Sequence, residues 1–239
     1  MLDLIRYVSA GAVLAGFLLL TVTQITADAA SREGTLRFEV DLDGRPIGEH
    51  ALTFERQLDD SLKVAIDIDL NVKFGPFTIF AYSHVNRTEW RGGQLVSLQS
   101  ETDDNGTRHR VQAISDSGGL RIVANNQAAI STAPSVLPST YWMAATVRQS
   151  RLINSQTGEL LEVTVERVGD EPVTGPAGTI QATHYRMKGD LEIDLWYDDS
   201  SVLVGLAFVA RGARVTYRLV ERLGDVPVSM AGTIMDARN

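Results

Sequence analysis

The sequence predicts an all-β fold, built as a large curved antiparallel meander sheet or incomplete β-barrel with one short helix. Three observations carry this. Residues 61–74 alternate without a break, with Leu62, Val64, Ile66, Ile68, Leu70, Val72 and Phe74 on even positions and mostly polar residues on odd ones. Strand side chains alternate faces, so one side of this stretch is apolar and the other wet. Fourteen extended residues would span roughly 46 Å, well beyond an ordinary strand, and such a strand needs long partners. The second observation is the succession of hairpin turns, among them Asp43-Gly44 and Asn105-Gly106, whose residues tolerate the positive φ of tight turns. The third is that the β pattern breaks only once, over 134–150, so no βαβ unit is present.

Taken in order, the chain opens on an export signal. Arg6 gives a thin positive region, Val8–Leu20 is a 13-residue apolar run, and Ala27-Asp28-Ala29 is an A-x-A cleavage site. The expected division is a signal peptide at 1–29, one β domain at 30–225 and a C-terminal tail at 226–239. The competing reading is a retained anchor, since the apolar run extended to Ile25 approaches the ~20 residues that span a bilayer. The polar Thr21, Thr23, Gln24 and Thr26 favour cleavage, export to the periplasm and no stable membrane span afterwards.

Strands follow at 35–42 and 47–57, then 61–74. Gly75-Pro76 breaks the long strand. Residues 77–90 carry Phe77, Ile79, Phe80, Tyr82, Val85 and Trp90 on both faces, so partial cover on both sides is expected. Strands at 94–102 and 107–115 flank the Asp104-Asn105-Gly106 turn, and two short runs follow at 120–124 and 127–131. Pro138-Ser139 offers a helix start with Ser139 as N-cap, and 140–149 would make about three turns. Strands resume at 160–168, then a Pro/Gly-punctuated corner at 173–177, then 179–187, 191–197, 202–210 and 215–220. That is about eleven strands in hairpin succession, an arrangement that buries one apolar face by curling.

Composition bounds function mainly by exclusion. The 239 residues carry a formal net charge of −8, which argues against nucleic acid and against an anionic membrane surface as partners. There is no cysteine, so disulfides, thiolate metal sites and a thiol nucleophile are excluded. Hydrophobic residues make up 44%, enough for a sizeable core. His50, His84, His109 and His184 are far apart in sequence and form no metal-binding motif, and read as scattered surface or strand histidines. The stretches 41–44 and 103–106 lack the EF-hand pattern and read as hairpin turns. Asp67 and Asp69 share a strand face about 7 Å apart. A glycosidase could use such a pair, but they interleave with Lys63 and Lys73 on the wet face. No nucleophile elbow and no phosphate loop is present. The expectation is therefore not an enzyme, with no cofactor and no metal.

Leu195-Trp196-Tyr197-Asp198, the run 202–210 and Val215-Thr216-Tyr217 carry a resemblance. So do Phe38-Glu39-Val40, Asp43-Gly44-Arg45-Pro46-Ile47-Gly48, Pro138-Ser139-Thr140-Tyr141-Trp142 and Gly158. Together they resemble an uncharacterised family of exported all-β bacterial proteins, known only as a domain of unknown function, over Gly34 to Arg222. In outline the layout is also similar to the periplasmic lipoprotein carriers of the Lol type. That architectural likeness implies an apolar cavity for acyl chains under a helical lid.

The aromatic residues Phe77, Phe80, Tyr82, Tyr141, Trp142 and Trp196 are the candidate cavity lining, with core packing as the plainer explanation for each. The leading expectation is non-catalytic binding of a lipid or other hydrophobic small molecule in a β-sheet cavity of a periplasmic protein, gated by the 139–149 helix. The alternative is an envelope assembly or scaffold protein acting through protein–protein contacts, with a filled interior and a partner that the sequence does not name.

Overall fold

The computed structural model describes residues 32–227 apart from Asn126. The expected signal segment at 1–29 and most of the expected tail lie outside the described residues. Fifteen strands form one open sheet. In chain order they are β1 (Arg32–Leu42), β2 (Arg45–Arg56), β3 (Leu62–Phe74), β4 (Phe77–Arg91), β5 (Gln94–Asp104), β6 (Thr107–Asp116), β7 (Gly119–Ala124) and β8 (Ile130–Thr132). They continue as β9 (Leu137–Pro138), β10 (Arg151–Ile153), β11 (Leu160–Gly175), β12 (Gly178–Gly189), β13 (Ile193–Asp198), β14 (Leu203–Ala210) and β15 (Ala213–Gly224). Spatially, β8 to β1 run as one meander, β1 pairs with β15, and β15 to β9 run as a second. Every pairing is antiparallel except β9 with β10.

The edge strands β8 and β9 are not paired with each other, so the barrel does not close. They are nonetheless near neighbours. Thr132 and Leu137 are five residues apart, a reach of at most about 18 Å. Laid flat, fifteen strands would span roughly 67 Å. The sheet must curl to bring its two edges together, and long strands with one apolar face gain by doing so.

On β3 the even residues point inward as expected. Leu62, Val64, Ile66 and Leu70 are buried, whereas Lys63, Asp67 and Asp69 are exposed. Asp67 pairs with Arg87 at 2.9 Å and Asp69 accepts from Asn71, so both carboxylates belong to the solvated outer face. The expected corner at 173–177 is instead largely strand. β11 continues to Gly175, and its register with β12 shifts between Arg167 and Gly169. That bulge absorbs the irregularity that Gly169, Pro172 and Gly175 signal in the sequence. The short strands β9 and β10 carry too few residues for a period to show.

The expected helix over 140–149 is a correction. Only Ala144–Arg148 is helical, as a 3-10 turn. Tyr141 has φ 57°, and Met143 is extended and bridges to Val202. Both conformations are incompatible with a helix starting at Ser139. The reason is tertiary: Trp142 is inserted between Phe54 and Trp90, at centroid distances of 5.3 and 5.5 Å, both edge-to-face. The contacts of one large aromatic side chain outweigh the few tenths of a kcal/mol per residue in helix propensity. Residues 139–158 therefore form a strap, whose residues 151–153 are strand β10 of the sheet and whose flanking parts lie against the sheet's inner face.

The strap ends in a turn that only glycine fits. Gly158 has φ 79°, and a Cβ there would lie 2.8 Å from the Ala124 Cβ. Its N–H donates to the Asn154 carbonyl at 2.8 Å. Gly158→Ala is expected to cost about 1–3 kcal/mol, through the positive φ and the clash with β7. Denaturant midpoints of the two proteins check this; an unchanged midpoint would show that the turn relaxes freely.

Candidate functional site

The interior divides into a packed end and a hollow end. At the packed end Trp142, Phe54, Trp90 and Leu62 are buried together, and Trp90 donates to the Thr88 hydroxyl at 2.8 Å. At the other end the residues of the same strands line two adjoining cavities of about 530 Å³ each. They share Ile68, Tyr82, Gln156, Phe208 and Tyr217. Volumes of ~300–1,000 Å³ are typical of small-molecule sites.

The inner chamber lies under the strap and reaches solvent past the exposed Asp190, Glu192 and Val209. His50 from β2, Ile68 from β3 and His84 from β4 stand side by side in register across three strands and line it together. Tyr141, Ser139, Ser155 and Gln156 close it from the strap. The strap is pinned at several points. Ser100 donates to the Ser155 carbonyl at 2.5 Å, Tyr82 donates to Gln156 Oε1 at 3.2 Å, and Tyr197 donates to the Tyr141 carbonyl at 2.6 Å. The mouth chamber is more apolar. Leu42, Ile47, Leu70, Val72, Ile79 and Phe80 line it, and Arg211 stacks over Phe80 at 5.7 Å. The turns after β1, β3, β5 and β14 all fall at this end, as the alternating strand directions require.

The inner face is more polar than a core ordinarily is. Along β4 the inward residues are Tyr82, His84, Asn86, Thr88 and Trp90, and along β5 they include Ser100 and Thr102. His84 Nδ1 lies 2.7 Å from the Thr102 hydroxyl. His50 is only 5% exposed, packs against the rings of Phe38 and Tyr217, and has no hydrogen-bond partner among the described residues on either ring nitrogen. Burial pushes the His50 imidazole down to about 3, helped by the nearby His84. Burial also pushes His84 down to about 4, against a smaller opposing pull from Asp67. Both rings are therefore neutral at pH 7 and offer donors and acceptors rather than charge. Burial likewise drives the phenols of Tyr82, Tyr141 and Tyr217 upward, keeping them protonated.

Of the six aromatic residues expected at a cavity, three line it: Phe80, Tyr82 and Tyr141. Trp142 packs in the core at the closed end. Phe77 is 70% exposed at the start of β4. Trp196 is on the outer face, stacked on His184 at 4.5 Å and resting against Gly205. Its indole N–H donates to Glu171 at 2.5 Å. His184 stands between two carboxylates, with Nδ1 3.2 Å from Glu171 and Nε2 2.9 Å from Asp194. Burial raises the Asp194 carboxyl, but hydrogen bonds to His184 and Arg186 outweigh it and hold the group below its ordinary value. This cluster is fully partnered and clamps β11 to β12 and β13 from outside.

Sequence reading missed His50 and His84 as cavity residues and took them for scattered strand or surface positions. The signal is on β4, where the alternate positions 82–88 read Tyr-His-Asn-Thr on the face shared with Trp90. It is visible only once the neighbouring strands say which face is inside. The strap also differs from the expected gate, because its helical turn is not over the mouth. Residues 139–141 and 154–156 do the covering. No group of three His, Asp or Glu side chains able to hold a metal occurs among the described residues. No helix among them is long and apolar enough to cross a membrane.

The sequence profile of a family described as a domain of unknown function, DUF6134, matches residues 38–220. No curated protein matches the sequence. Among solved structures, the fold is similar to the crystal structure of a β-barrel-like protein of the domain of unknown function DUF1849 from Brucella abortus. The two share 10% sequence identity and a TM-score of 0.60, with 83% of this chain and 99% of that one covered. That likeness concerns the fold alone.

Proposed function

Because this chain belongs to the DUF6134 family, a β-barrel-like domain of unknown function, we propose a function from the geometry of its interior. The protein is a periplasmic binding protein that holds a lipid or other hydrophobic molecule, without catalysis, between the strap and the curved sheet. The observation that carries this reading is the pair of adjoining cavities on the buried face of the sheet, one of them lined mainly by aliphatic and aromatic side chains. Core-facing positions such as Val72 and Phe80 border space instead of packed atoms, which is unusual for a protein interior. Each methylene moved from water into such a space is worth ~0.8 kcal/mol, so a sixteen-carbon chain gains on the order of 10 kcal/mol gross. Association costs take back a substantial share of that gain. Export is supported by the apolar run and A-x-A site in residues 1–29. The envelope-scaffold alternative expects a filled interior and finds less support in this one.

Native mass spectrometry of protein purified from the periplasm is the test. The expected result is a bound mass that solvent extraction removes and identifies as a lipid, together with saturable uptake of a hydrophobic dye by the stripped protein. Protein that arrives empty and shows no saturable dye site would overturn the reading.

A further inference from the structure

We propose that the tip of the β3–β4 hairpin, with the two turns beside it, docks on an anionic phospholipid bilayer and seats the cavity mouth against the membrane. This goes beyond the ligand-binding reading above and does not require the cavity to be filled.

The tip projects from the sheet. β3 pairs with β2 only as far as Leu70, and β4 pairs with β5 only from Tyr82 onward. A last bond joins the Ala81 carbonyl to the Asn105 N–H. Beyond these points β3 and β4 pair only with each other, as far as Phe74 and Phe77. The stretch past Leu70 reaches roughly 13 Å. A Cβ at Gly44, Gly75 or Gly212 would meet nothing within 4 Å, so these three turns are free of cover by the described chain.

The tip is apolar where solvent would favour polar residues. Phe77 is 70% exposed and Ile79 60%. The β3–β4 register skips Ile79, a bulge that leaves it lining the mouth together with Phe80. The apolar lining of the mouth thus continues over the rim onto the surface. Val209, at the end of β14, is a further exposed apolar side chain at this end of the sheet.

Charge names the partner. The β1–β2, β3–β4 and β14–β15 turns are neighbours, because β2 pairs with β3 and β1 with β15. Over residues 42–46, 72–80 and 209–214 they carry Arg45, Lys73, Arg211 and Arg214 against a single carboxylate, Asp43. All four cations are exposed, and none forms an ion pair among the described residues. The Asp43 carboxylate accepts from the Arg214 backbone N–H. Farther round the rim the excess disappears: Arg108 pairs with Asp103, and Asp190 and Glu192 are acidic. The whole chain carries −8, but at physiological salt a charge is screened beyond about 8 Å. The face presented, not the total, therefore decides. Exposed apolar side chains among unpaired cations match the two layers of an anionic bilayer surface, its acyl boundary and its phosphates.

The test uses the absence of cysteine. Thr78→Cys and Leu58→Cys each accept a single nitrobenzoxadiazole label, one at the tip and one at the exposed β2–β3 turn of the opposite end. Labelled protein is mixed with phosphatidylcholine vesicles, with and without about a third phosphatidylglycerol. The tip label is expected to brighten severalfold and shift to the blue on the anionic vesicles, while the label at 58 stays unchanged. About 0.5 M NaCl should weaken the binding. In the tip-labelled protein, Phe77→Ser should weaken it about tenfold or more, and Lys73→Gln about fivefold. Both side chains are exposed, so neither change should disturb the fold. A silent tip label, an equal response at 58, an equal response to neutral vesicles, or Phe77→Ser binding as well as its parent overturns the proposal. A silent tip label together with a dimer that Phe77→Ser disperses in sedimentation velocity assigns the tip to a contact between copies instead. Saturable dye uptake is measured separately, so the ligand-binding reading stands or falls on its own result.

Discussion

Trp142→Ala is expected to destabilise the protein by about 3–5 kcal/mol, the range measured when a large buried aromatic is cut back to a methyl group. Trp142 is 4% exposed and is the only described tryptophan carried by the strap. It holds the strap against Phe54 on β2 and Trp90 on β4 by two edge-to-face contacts. Its removal opens a cavity at the packed end and detaches the strap from the half of the sheet it crosses. The neighbouring Tyr141, held at φ 57°, then loses the packing that keeps its strained backbone in place. The measurement is equilibrium denaturation at neutral pH, paired with Trp142→Phe, which retains most of the apolar contact and should lose well under half as much. If alanine costs less than about 1 kcal/mol, the strap is not held by this side chain. Since the strap also roofs the inner chamber, the same variant should weaken dye uptake even where it remains folded.

Acid is expected to weaken the fold long before the carboxylates titrate. His50 and His84 are held neutral in the folded protein, with values near 3 and 4, against an ordinary 6.5 in the unfolded chain. A base whose folded value is depressed leaves the unfolded state holding more protons across that interval. Stability is therefore full above about pH 6.5 and falls as pH drops toward 4. Each imidazole contributes on the order of 3 kcal/mol to the loss at pH 4, at about 1.4 kcal/mol per unit of displacement. Denaturation curves at pH 7, 5.5 and 4.5 check this, with a loss between pH 6 and 4.5 approaching two protons' worth of slope. His50→Leu should remove about half of that slope. It should also raise stability at pH 7 by about 1–3 kcal/mol, because a buried polar group without a partner is replaced by an apolar one. A flat profile between pH 6.5 and 4.5 would show that water reaches both rings. Asp194 adds a separate loss only at lower pH, where its depressed carboxyl finally protonates.

These two results would also bear on why the protein keeps His50 where it does. A histidine with no partner is a poor choice for stability alone. The outer cluster around His184 and Trp196 is the counterexample in the same molecule, since its donors and acceptors are matched within the protein.

Much of the architecture could be read directly from the chain. The alternation over 61–74 set the inward residues of β3, and the turn residues at Asp43-Gly44 and Asn105-Gly106 set the hairpins that pair β1 with β2 and β5 with β6. Asp67 and Asp69 were assignable to solvent because their strand neighbours are lysines and an asparagine. These are local facts: a two-residue period and a tight-turn backbone are decided within a few residues.

The tertiary structure decided what local pattern could not. It replaced a three-turn helix with a strap, because Trp142 gains more from the space between Phe54 and Trp90 than 140–149 gains from helical bonds. It split the inward face of β3 in two, placing Leu62 and Val64 in a packed core and Ile68 and Val72 beside open space. It brought His50 and His84, 34 positions apart in sequence, into one row across β2, β3 and β4. Whether an inward side chain meets another atom or a cavity depends on which strands curl toward it from far along the chain. A sequence period carries the direction of a side chain but not what stands opposite.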